Sequence, residues 1–179
     1  DVRFVEENLN RCFVEQNSLT YEARLAEALK SVLQNYDICL DIHNSNTKSS
    51  EPFVICESNA YQYLDALPGR YCVSGFDELE PGGTDYYMNN IGNIGICLEC
   101  GYAKEKESID VAKGAIINFL KATGNIKEVA FRHPKKKMMQ LYKVYIPVGP
   151  FTLARNFTDF EKIEGGTIVG FDRKKPLVC

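Results

Sequence analysis

The segment that most constrains this chain is an apolar run, Asp37-Ile38-Cys39-Leu40-Asp41-Ile42, which closes on His43-Asn44-Ser45. A short apolar run bounded by polar residues reads as a buried strand, so its Asp-x-His ending presents an imidazole at the carboxyl edge of a sheet. Ligands of open α/β sheets collect at that edge. Residues 20–35 read as a helix: Thr20 is placed to cap it, and Leu25, Leu29, Val32 and Leu33 recur at i, i+4, i+7 and i+8. A helix running directly into a strand is half of a βαβ unit and points to an α/β fold. The polar stretch 44–52 has the composition of an active-site loop.

Further along, Phe53–Ile55 and Tyr71–Ser74 are strand-like, with a short helix at Ser58–Leu67 stopped by Pro68-Gly69. A turn-rich loop, Pro81-Gly82-Gly83-Thr84-Asp85, occupies the middle of 79–90. Ile94–Glu99 is the next strand. Ser108 then caps a second amphipathic helix with Ile109, Ala112, Ile116, Phe119 and Leu120 on one face and Gly124 as its stop. After Asn125 the pattern alternates and is rich in Val, Tyr and Ile, with Gly149-Pro150, Asn156 and Gly165-Gly166 as punctuation. This predicts an α/β domain over 1–125, a mixed sheet with flanking helices, followed by a small β-rich C-terminal domain over 126–179.

The 179 residues carry a net charge of −3, which excludes a broad phosphate-binding face and with it nucleic acid as a partner. The basic cluster Lys135-Lys136-Lys137 reads as a solvated loop. No apolar stretch reaches the roughly 20 residues that span a bilayer, so no membrane partner is expected. Seven cysteines, odd in number and without scaffold-like spacing, fit reduced thiols in a cytoplasmic protein. Cys97 and Cys100 form a C-x-x-C, but on a strand residues three apart point to opposite faces, and no second C-x-x-C completes a metal site.

Three groups carry candidate chemistry. His43 is either a metal ligand or a structural imidazole bonded to a carbonyl. Glu99, at the far end of an apolar strand, is either a general base with a raised pKa or a partly exposed strand-end carboxylate. Arg3, Asn10 and Arg11 offer two guanidinium forks and an amide suited to a carboxylate, or an ordinary charged surface.

Taken in order, Asn8-Leu9-Asn10-Arg11-x-Phe13, Asp41-Ile42-His43-Asn44 and Gly95-Ile96-Cys97-Leu98-Glu99-Cys100-Gly101 resemble the motifs of the succinylglutamate desuccinylase/aspartoacylase family of zinc-dependent amidohydrolases, relatives in fold of zinc carboxypeptidases. The resemblance covers about residues 3–101. It implies a zinc-carboxypeptidase-like sheet and one Zn2+ per site, with His43 as a ligand. It implies Glu99 as general base and acid, Arg3 as the group that stabilises the oxyanion, and Asn10 with Arg11 orienting the substrate. The reaction implied is hydrolysis of the amide bond of an N-acyl amino acid or similar small carboxylate. Asn8 stands where the family has Asp. Members acting on acylated aspartate carry an arginine where this chain has Tyr86-Tyr87-Met88-Asn89-Asn90, so Tyr86 and Asn89 are the candidates for the substrate pocket. The family's His-x-x-Glu ligand pair precedes the Asn-Arg motif. The resemblance therefore implies two further ligands upstream of residue 1 and an α/β domain that is N-terminally incomplete and inactive alone. The competing readings are a non-catalytic binding module that kept the fold and lost the metal site, and an unrelated α/β protein. The oligomeric state stays open between monomer and homo-oligomer.

Overall fold

A computed structural model of the chain describes residues 4–48 and 50–179. They fall into two compact units that divide between Tyr142 and Lys143. The first is built on a five-stranded mixed sheet of β1 (Ile38–Ser45), β2 (Phe53–Cys56), β3 (Tyr71–Ser74), β4 (Ile94–Tyr102) and β5 (Lys137–Gln140), in the order β1-β4-β2-β3-β5. β4 takes β1 parallel on one side and β2 antiparallel on the other, while β3 is parallel to both β2 and β5. The helices are α1 (Tyr21–Leu33), α2 (Phe76–Leu79), α3 (Thr84–Asn90) and α4 (Lys106–Ala122), with 3-10 turns at Leu9–Arg11 and Ser58–Ala66.

Alternation along the strands divides the sheet into two faces. Ile38, Leu40 and Ile42 of β1 and Ile96, Leu98 and Cys100 of β4 join Val54, Cys56 and Cys72 in one core, covered by Ala115 and Phe119 of α4 and by Ala60 and Leu64 of the longer 3-10 turn. Cys56 and Cys72, on neighbouring strands, place their sulfurs 3.6 Å apart inside it. The opposite face carries Asp41 and His43 of β1 and Gly95, Cys97 and Glu99 of β4, with α3 packed against both strands. Gly95 permits that approach, because a Cβ there would meet the backbone of Asp85 at the start of α3. The apolar face thus assembles the sheet, and the other face is left for polar groups.

α1 starts as its sequence dictates, with the Thr20 hydroxyl accepting from the Ala23 N–H at 3.3 Å. Its inward stripe is offset from the predicted one. Ala23 and Ala26 are buried and Leu29 and Leu33 pack beside them on Cys12 and Phe13, while Val32 is exposed. Small alanines let the helix sit close to the segment bearing the first motif, and the larger Val32 is displaced to the rim. The buried Glu22 carboxylate accepts N–H bonds from Val5, Glu6 and Glu7, which fixes that segment as it enters the 3-10 turn.

Several elements differ from the sequence reading. α3 forms where a turn-rich loop was expected, and α4 begins at Lys106, so Ser108 lies inside its first turn and bonds back to the Glu105 carbonyl at 2.8 Å. The Lys135–Lys137 run is not a solvated loop throughout. Lys136 is 5% exposed, and its ammonium, lowered in pKa by burial, donates to the Leu67 carbonyl at 2.7 Å. The following residues form β5, which extends the first sheet beyond the expected boundary near residue 126.

The second unit, Lys143–Cys179, is an antiparallel three-stranded sheet of β6 (Phe151–Leu153), β7 (Ile168–Asp172) and β8 (Lys175–Val178), in that order. Among the described residues, no helix is long and apolar enough to cross a membrane.

Candidate active site

The parallel pairing of β1 with β4 sets Asp41 opposite Cys97 and His43 opposite Glu99. With a side-chain period of two, all four project from one face. His43, Cys97 and Glu99 meet Asn10 and Arg11 from the first 3-10 turn and Asp85 and Tyr86 from α3, around a cleft of about 160 Å³. The Asn8 side chain caps that turn by accepting from the Asn10 N–H at 3.2 Å, a task that Asn performs as well as Asp. Gly82 (φ +107°) lets the loop before α3 pass against Arg11, where a side chain would strike the backbone.

Two polar groups crowd one nitrogen of the imidazole. Nε2 of His43 lies 2.8 Å from the Asn10 side-chain amide and 3.2 Å from the Asp41 carboxylate. Thr84, the first residue of α3, donates its hydroxyl to the same carboxylate. The Asp41 contact holds the His43 pKa above its ordinary value against burial, with the charges of Glu99 and Asp85 adding to it. Burial would raise the Asp41 carboxyl, yet His43 and the Thr84 hydroxyl together hold it below the usual range. Asp85 is pushed up by burial, as is the Cys97 thiol, which also faces Asp85, Asp41 and Glu99. The cleft is a negative site with one imidazole. Ligating atoms of His43, Cys97 and Glu99 all lie within 4.8 Å of one another. Nitrogen, sulfur and oxygen donors brought together in this way suit a zinc-class ion.

The family model for the succinylglutamate desuccinylase/aspartoacylase catalytic domain matches residues 1–123. The chain belongs to that family. Several solved structures share its fold. The succinylglutamate desuccinylase of Vibrio cholerae superposes with a TM-score of 0.77 at 18% identity, over 99% of this chain and 58% of that one. The succinylglutamate desuccinylase/aspartoacylase of Rhodobacter sphaeroides gives 0.70 at 20% identity, over 99% and 61%. The product-bound ectoine utilization protein EutE (DoeB) of Ruegeria pomeroyi gives 0.68 at 19%, over 96% and 58%. The chain thus spans about three fifths of the length of the structures it matches. No curated protein matches it by sequence.

Within this desuccinylase/aspartoacylase domain, the fold brings His43, Glu99, Asn10, Arg11 and Tyr86 to one cleft. The Arg11 guanidinium is paired there with Glu80 and also donates to the Asn10 carbonyl at 2.8 Å. Asn89 is set back from the cleft. Its amide donates to Asp77 and accepts from Asn59 and from the Gly95 N–H, each at 2.9 Å. Arg3 lies outside the described residues. His133 stands apart from the cleft, its ring edge-on to Phe131 at 4.9 Å. Sequence reasoning passed over Cys97 and Asp85 as site residues. Cys97 had a signal, since it stands two residues before Glu99 on a strand and must share its face. Asp85 had none, because it arrives on a helix that was read as a loop.

Proposed function

We propose that this chain carries the substrate-facing half of a zinc-dependent amidohydrolase site that cleaves the amide bond of an N-acyl amino acid or similar small carboxylate. The observation that carries this reading is the register of β1 on β4. It sets an imidazole and a carboxylate opposite each other across two strands, in one cleft with an asparagine and an arginine, in a chain of this family. A site that binds a small polar substrate needs little room, and about 160 Å³ is below the range of drug-sized pockets.

In this reading His43 is a metal ligand within the chain, oriented by Asp41. Carboxylate–histidine pairs of this kind fix ring orientation and raise ligand basicity at metal sites. Zinc bound there would supply a Lewis acid for the scissile carbonyl and would acidify the attacking water. Glu99 takes the proton from the attacking water and returns it to the leaving amine nitrogen. Arg11 exchanges Glu80 for a substrate carboxylate, which its planar fork engages through two parallel bonds. Asn10 sits between that arginine and His43 and orients the substrate, Tyr86 lines the same cleft, and Arg3 steadies the developing oxyanion. Asn89 braces the floor from behind through Gly95 and Asp77. We place the enzyme in the cytoplasm, on the scattered reduced thiols of its sequence.

Turnover of a panel of N-acylated acidic amino acids tests the assignment. Glu99→Gln keeps the shape of the site and removes the base, so kcat should fall by about 10²–10⁴ while zinc content per chain stays unchanged. Activity within tenfold of the parent enzyme would remove Glu99 from the mechanism.

A further inference from the structure

We propose that the pocket bordered by Arg132, His133, Lys135 and Lys136 is a second binding site, one that takes a small phosphorylated organic anion of nucleotide size. The pocket measures about 620 Å³ and shares no lining residue with the cleft of His43 and Glu99, so the inference stands apart from the hydrolase reading. Its volume falls in the range of pockets that hold small organic ligands. Three cationic side chains line it against one carboxylate, Asp65, in a chain whose net charge is −3. A phosphoryl group brings nearly two negative charges and three acceptor oxygens, which matches such a lining better than the single charge of a carboxylate. Arg132 offers the planar fork that engages phosphate through two parallel bonds. Its only ion pair among the described residues is a long one, 3.7 Å to Asp65. The remaining wall is largely apolar. Leu64, Pro134 and Met138 accept the organic part, and the exposed ring of Tyr61 offers it a stacking surface.

A run of basic residues is usually a solvated charge patch, but the backbone that carries this one is pinned along its length. The buried Asn118 of α4 donates to the Phe131 carbonyl at 2.8 Å and accepts from the Phe131 N–H at 2.7 Å. The His133 N–H donates to the Asp65 carbonyl at 2.7 Å, and the Lys137 N–H to the Arg70 carbonyl at 2.8 Å. The basic side chains thus project from a fixed frame, and little backbone entropy is lost when a ligand binds. Lys136 adds a second argument. Its buried ammonium gives one N–H to the neutral Leu67 carbonyl, and among the described residues no carboxylate forms an ion pair with it. A buried cation without a counter-charge is costly, and an anion in this pocket supplies one.

The test is a proton NMR titration of the chain with ADP at physiological ionic strength and without added metal, reading the imidazole protons of its two histidines. His133 is held below its ordinary pKa first by burial and then by the charge of Lys136, and it also lines a groove with Glu107, Asp110 and Lys121 of α4. The expected result is a saturable shift at His133, with its pKa moved upward as the bound phosphates offset Lys136, and no change at His43. Arg132→Ser and Lys135→Ala, both at exposed positions, should each weaken binding about tenfold or more with the fold intact. Adenosine, which lacks the phosphates, should not bind at the same concentrations. The absence of a saturable His133 shift with millimolar ADP overturns the proposal. So do a shift confined to His43, adenosine binding as tight as that of ADP, and unchanged affinity in the Arg132→Ser/Lys135→Ala double variant.

Discussion

Asp41 is the residue through which the imidazole of His43 is aimed. It is held from two sides, by His43 at 3.2 Å and by the hydroxyl of Thr84, and it never needs to touch a substrate. Replacing it by Asn keeps the shape and removes the charge. At other metal sites, loss of such a partner weakens metal binding about 10–100-fold. In the proposed zinc site, Asp41→Asn should therefore raise the Kd for zinc by that factor, measured by competition with a chromophoric chelator. An unchanged Kd would mean that the carboxylate serves the strand rather than the ligand.

At the scale of elements, α3 and β4 depend on each other at Gly95. Gly95→Ala forces a Cβ into the backbone of Asp85. Such overpacking costs about 1–3 kcal/mol, and here it also displaces Asp85 and Tyr86 from the cleft. A lowered Tm together with a raised KM is the expected signature, and a lowered Tm alone would show that α3 adjusts without moving the site. These elements were unequally legible in the sequence. β1 and β4 were plain because apolar runs of strand length end in polar motifs. α4 was plain as a helix but not in its inward face, since Ile109 and Ile116 are exposed and Ser108, Ala115, Asn118 and Phe119 are buried. α3 was hidden by Pro81-Gly82-Gly83, whose turn signal masked the seven helical residues that start at Thr84. A strand near β5 was expected, but its place in the first sheet was hidden, since that pairing and the burial of Lys136 against the Leu67 carbonyl, 69 positions away, are long-range contacts. Local pattern shows where a chain is apolar and periodic. It does not show which distant carbonyl will accept a proton, and the contributions of Cys97 and Asp85 to the cleft were missed for the same reason.

At the scale of the whole molecule, the two units have separate determinants of stability. In the second, Asp172 of β7 is 5% exposed and accepts from the Val148 N–H at 2.9 Å and the Tyr145 hydroxyl at 2.8 Å. The Val148 bond, then the Tyr145 bond, hold its carboxyl below the ordinary range. A carboxyl with a depressed folded-state pKa stabilises the fold above its unfolded value of about 3.9 and loses that contribution as pH falls through the folded value. The near-ultraviolet circular dichroism of Tyr145 should therefore weaken as pH falls below about 4. Asp172→Asn should weaken the unit at neutral pH and flatten that dependence, whereas an unaltered acid transition would place its cause elsewhere. The first unit meets a different constraint, one of time. Ile38 pairs with Ile94, so bringing the two strands together closes a loop of 56 residues, at an entropic cost of about 3–4 kcal/mol before any constant term. β2 and β3 are able to meet earlier, across a shorter stretch of chain. On a ribosome, the nascent polypeptide has no cleft until β4 has cleared the exit tunnel and zipped onto β1, so the pocket is among the last things this unit acquires as it folds.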